Sequence, residues 1–84
     1  MTATKLTKSQ RKLLNILDAE NFDGWMETYL AWGDYDGMSD SASFATTKLV
    51  VHSVFRSLES KGLATENEYG APVLTTAGVE VKGE

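Results

Sequence analysis

The sequence contains no cysteine, which excludes a disulfide framework and any thiolate metal site. Its single histidine, His52, has no second imidazole or thiolate to join it around a metal. There is no nucleophile–base–acid constellation and no Gly-rich phosphate loop, so the residues point away from an enzyme and imply no cofactor. No apolar run is long enough to span a bilayer, and Met1–Lys5 lacks the apolar core of a signal peptide, so a cytoplasmic protein is expected. Proline occurs once, at Pro72, and 42% of residues are apolar, which argues against disorder over most of the length. Cations are scarce too: eight Lys and Arg stand against twelve Asp and Glu, for a net charge of −4.

The scarce charge is segregated. Residues 1–17 hold Lys5, Lys8, Arg11 and Lys12 and no acid. Residues 18–40 hold Asp18, Glu20, Asp23, Glu27, Asp34, Asp36 and Asp40 and no base. A strongly basic chain would point to nucleic acid at once. This one leaves two choices: a local basic face on DNA, or a partner of another kind.

The 84 residues are expected to form a single domain, with 1–5 and 80–84 as flexible ends. Thr7 and Gln10 have capping-box spacing, and Leu13, Leu14, Ile16 and Leu17 follow as an apolar stripe opposite Lys8, Arg11, Lys12 and Asn15. This first helix should fade near Glu20 and Asn21. Phe22, Trp25, Tyr29 and Trp32 share one helical face, widened by Met26 and Leu30, with Gly33 as a C-terminal cap. Residues 33–43 read as a polar loop. Phe44, Val51, Val54, Phe55 and Leu58 mark a third, longer helix ending at Gly62; Thr46 or Thr47 caps it, unless it begins near Ser41. Leu63–Glu66, the turn Asn67–Gly70 and Ala71–Thr75 read as a hairpin, with Pro72 on an edge strand. Thr75–Val81 either starts a last short helix or trails off. Leu13, Leu17, Trp25, Tyr29, Val51, Phe55, Leu58 and Leu63 are expected to be buried together.

The segment Val51–Leu63 ends in Leu58, Glu59, Ser60, Lys61, Gly62, Leu63, and after the hairpin come Leu74, Thr75, Thr76, Ala77, Gly78. These two runs resemble winged helix-turn-helix regulators of the MarR and PadR kind. There, a recognition helix ending in Leu-Glu-x-Lys-Gly-Leu leads into the wing, and Leu-Thr-x-x-Gly closes it. Leu6–Leu17 is similar to their first helix. The resemblance implies a mainly α fold of three helices plus a β-hairpin wing. It implies a sequence-specific DNA-binding function, a small transcriptional regulator with double-stranded DNA as partner and a homodimer as one form. The compactness of the chain alone suggests an accessory factor of the phage or plasmid type as the other version of that reading. This chain departs from those families in a long acidic connection before the third helix and in a wing carrying Glu66 and Glu68.

By that resemblance Thr46, Thr47, Lys48, Val50, His52, Ser53 and Arg56 form the face that enters the major groove, Lys48 and Arg56 on phosphate or guanine and Val50 on a thymine methyl. Lys8, Arg11 and Lys12 are auxiliary phosphate contacts, or simply a solvated face. The aromatic stripe is most simply core, and otherwise a partner surface. Asp34, Asp36 and Asp40 lack calcium-loop spacing, since Gly37 comes too early and no carboxylate falls at the twelfth position. They fit an acidic docking loop. A second function class follows: a winged helix turned protein-interaction module, using that loop and the aromatic helix on a basic partner.

Overall fold

The computed structural model describes residues 5–20, 24–33 and 41–84, with 41–43 described by backbone alone. Helix α1 spans Lys8–Ile16. Its capping box is present: the Gln10 amide donates to Thr7 Oγ1 at 3.1 Å, and the Thr7 amide donates to Gln10 Oε1 at 2.9 Å. Leu13, Leu14 and Leu17 are buried. The helix ends before the expected Glu20, because Leu17 turns extended and the Asp18 carbonyl accepts the Leu74 amide at 2.8 Å. A bond outside the helix competes for the chain there.

Helix α2 spans Trp25–Trp32 and enters through Gly24 at φ 79°, a left-handed backbone that suits glycine. Tyr29 is buried, and Trp25 and Trp32 pack against the core while remaining half-buried. Trp25 is thus less buried than its place among the expected core residues implies. Met26 and Leu30, expected to widen the apolar stripe, are exposed. At about 100° per residue they lie some 100–140° round from Trp25, beyond the reach of either neighbouring helix. Phe22, also assigned to this stripe, lies outside the described residues.

Helix α3, Ser41–Ser60, is the longest element at 20 residues, and Thr46 and Thr47 fall inside it. Val51, Phe55 and Leu58 are fully buried, with Phe44 and Val54 packed beside them. The helix closes at Gly62 (φ 76°): Gly62 donates to Glu59 O at 2.9 Å and Leu63 to Leu58 O at 3.0 Å. This double bond pattern is the Schellman terminator, and Leu58 and Leu63 meet in the core across it.

Strands β1 (Ala64–Glu66) and β2 (Pro72–Leu74) pair antiparallel, Ala64 opposite Leu74 and Glu66 opposite Pro72. Asn67 builds the turn: its Oδ1 accepts from the amides of Tyr69 (2.9 Å) and Ala71 (3.0 Å).

A fourth helix, α4 (Thr76–Lys82), follows, one more than the resemblance implied; of the two courses left open for Thr75–Val81 the chain takes the helical one. The stretch 80–84 is therefore not a loose end: Val81 is buried, and Lys82 Nζ donates to Leu17 O and Asp18 Oδ1, each at 2.7 Å. Thr75 caps α4 by accepting from Gly78 N at 3.1 Å. Gly78 lies against the chain leaving α3, where an added Cβ would stand 1.9 Å from Leu63 O. The architecture is thus mainly helical with a small antiparallel hairpin, built on one core cluster drawn from every element. Among the described residues no helix is long and apolar enough to cross a membrane.

Two substitutions test this packing by denaturation. Leu58→Ala removes a fully buried side chain and should cost roughly 2–5 kcal/mol. Gly78→Ala forces a methyl onto a backbone carbonyl and should cost at least about 2 kcal/mol, despite alanine's higher helix propensity. An unchanged midpoint for either would contradict the packing described.

Candidate nucleic-acid interface

Helix α3 has two unlike sides. One carries Val51, Phe55 and Leu58 into the core; the other faces solvent along most of its length. Of the seven residues expected on the outer face, Thr46, Lys48, Val50, Ser53 and Arg56 are exposed. Thr47 and His52 are half-buried.

His52 belongs to a different structure. Its ring stacks on Trp25 with centroids 4.2 Å apart, and its Nε2 is hydrogen-bonded to the Tyr29 hydroxyl. Trp25 also meets Phe55 edge-on at 4.9 Å and donates from Nε1 to Gly70 O at 2.9 Å. This joint ties α2, α3 and the hairpin turn together. His52 is a packing residue and does not reach the outer face, which corrects its place in the expected DNA-binding set. One residue round the helix from Val51, it lies on the flank that α2 covers. Burial raises the Tyr29 phenol above its ordinary value of 10.0.

Arg56 is exposed but engaged. Its Nη1 donates to Glu59 Oε1 at 2.9 Å and lies 3.9 Å from Glu66 Oε1 on β1. The bond and charge of Glu59, with a smaller contribution from Glu66, raise the guanidinium pKa further. Lys48 holds its ammonium 5.1 Å from the Phe44 ring. Around the outer face and hairpin, Lys48, Arg56 and Lys61 are matched by Glu59, Glu66 and Glu68. The surface is close to neutral and rich in polar atoms.

The auxiliary cations divide. Arg11 is half-buried and donates from Nη1 to Val81 O at 3.2 Å, holding the end of α4, so it serves the fold where a phosphate contact was expected. Lys12 places its ammonium 4.4 Å over the Trp32 ring. Lys8 is exposed. The acidic segment with Asp34, Asp36 and Asp40 lies outside the described residues, as does the docking loop expected there. Among the described residues no group of three or more His, Asp or Glu side chains could hold a metal.

Two exposed side chains escaped the sequence reading. Leu49 is 74% exposed on the middle of the outer face, and Tyr69 is 76% exposed at the hairpin turn. Leu49 was legible in principle: two residues before Val51 is about 200° round the helix, so a core at Val51 puts Leu49 in solvent. Comparison with protein-family models, curated proteins and solved structures finds no match for the chain.

Removing the joint separates packing from surface. His52→Ala loses a ring stack and a hydrogen bond and should destabilise by about 1–2 kcal/mol. Ser53→Ala, one residue on and exposed, should stay within about 0.5 kcal/mol. The raised Tyr29 value has its own signature. The stability linked to the neutral phenol is fully present below pH 10 and is lost as pH climbs through the raised value. Tyr29→Phe should flatten that alkaline loss in a denaturation series.

Proposed function

We propose that the protein is a winged-helix DNA-binding protein, a small regulator that lays the outer face of α3 in the major groove with the hairpin as its wing. The observation that carries the reading is that face: Thr46, Val50 and Ser53 stand exposed along about two turns of a long helix and none belongs to the core, with Lys48 exposed at its margin beside Phe44. The element order supports it, with α3 running straight into the hairpin through Gly62. So does the Asp18–Leu74 bond, which lays the chain after α1 along the second edge of β2.

The roles follow from side-chain chemistry. Lys48 is a phosphate contact. Thr46 and Ser53 carry hydroxyls for base edges or phosphates, and Val50 carries an apolar surface for a thymine methyl. Arg56 reaches DNA only by exchanging Glu59 and Glu66 for phosphate or guanine. With two or three cations in play, the affinity should fall gently with salt, with a log–log slope of about −2 to −3.

A second reading rests on a specific observation. Glu66 and Glu68 stand just before the largely exposed Tyr69 on the hairpin, and Arg56 is already neutralised. An acidic turn with an exposed aromatic ring suits a basic protein partner.

A fluorescence titration with mixed-sequence duplex at low salt, where non-specific attraction is strongest, distinguishes them. The DNA reading expects binding. Lys48→Ala should weaken it for all sequences alike and lower the salt slope by about one. Replacing Glu66 and Glu68 by glutamine should strengthen it. Absence of binding at low salt overturns the DNA reading in favour of the protein-partner one. The same double substitution should then weaken retention on a polylysine surface.

A further inference from the structure

The near-neutral outer face of α3 raises the question of where sequence preference would come from. Few cations are present, and the most prominent side chain on the face is apolar. Leu49 is 74% exposed, is not part of the core cluster, and sits between Lys48 and Val50, itself 39% exposed. The same face carries Ser53 one turn on and Ala45 one turn before. A solvent-facing leucine contributes nothing to the buried core and only raises the apolar surface the protein shows to water.

We propose, resting on the DNA-binding reading above, that Leu49 is a specificity-determining residue that reads thymine C5-methyl groups in the major groove, with Val50 beside it. In that groove thymine differs from every other base by its methyl group, and cytosine presents an N4 amino donor at the neighbouring position. A branched aliphatic side chain gains from the methyl, and pairs with neither the thymine O4 nor the cytosine N4, so the methyl contact alone favours thymine. Lys48, adjacent in sequence, supplies the phosphate contact that positions the helix without selecting a base. The preference of this protein is therefore for thymine-containing steps, set by apolar contact.

The test compares an alternating dA·dT duplex with the same duplex carrying deoxyuridine for thymidine, which deletes only the methyl groups. The wild-type chain should bind the thymine duplex about fourfold or more tightly, the equivalent of roughly 0.8 kcal/mol per buried methyl. Leu49→Ala should lose most of that preference, Val50 keeping the remainder, and its thermal midpoint should match the wild type because the side chain is exposed. If Leu49→Ala favours thymine as strongly as the wild type, Leu49 does not read the methyl and the proposal is overturned. If the wild type binds both duplexes equally well, methyl reading is overturned while DNA binding stands. If neither duplex is bound at low salt, the DNA reading falls and takes this proposal with it.

Discussion

At the junction of α3, the hairpin and α4, one backbone carbonyl organises three elements. Leu63 O accepts the Thr75 amide at 3.0 Å, and Gly78 approaches it so closely that no side chain fits between. Thr75 completes the junction, donating from Oγ1 to Gly62 O at 2.6 Å and accepting from Gly78 N at 3.1 Å. The end of α3, the base of the hairpin and the start of α4 are thereby held in one arrangement. The tilt of the hairpin beside α3 depends on it. So does α4, which reaches α1 through Lys82 and receives Arg11 at Val81 O. In a chain this short, where little apolar area is available, such polar ties add specificity that a small core alone would lack.

A second tie works from the other end of the hairpin. Trp25 bonds the turn at Gly70 and packs on His52 and Phe55, so α2 braces the hairpin against the middle of α3. The outer face of α3 takes no part in the core cluster. Its electrostatics are subdued, since Arg56 is paired with Glu59 and Glu66 and the acids around the face equal the cations in number. A partner recognised there would be selected by shape, hydroxyls and apolar contact more than by charge. That constraint shapes both functional readings.

What could be read from the sequence was local. The Thr7–Gln10 capping box, the Gly62 terminator and the Asn67–Gly70 turn each involve residues within a few positions, and each stands where expected. The core face of α3 followed from spacing alone. What could not be read joins distant residues. Arg11 meets Val81 O, 70 positions away, and so became structural where phosphate binding was expected. His52 meets Tyr29, 23 positions earlier, and left the outer face. Arg56 is held partly by Glu66 across the α3–β1 corner. The early end of α1 depends on the Asp18–Leu74 bond. The helical form of Thr76–Lys82, which the sequence left open, hangs on the Thr75 cap and on a long-range junction at Leu63 O. The outer face of α3 was legible as a face, and Leu49 on it by spacing; the pairing of Arg56 with Glu59 and Glu66 came only with the structure.

The central claim is that the outer face of α3 and the adjoining hairpin form the surface that meets a duplex. Amide chemical-shift mapping at low salt, with a short dA·dT-rich duplex added stepwise, tests it most directly. The account predicts shifts concentrated on 45–56 and 66–70, with α4 and the buried side of α1 unmoved. Shifts confined to α2 or the acidic segment before α3, or no shifts at any duplex concentration, would contradict it.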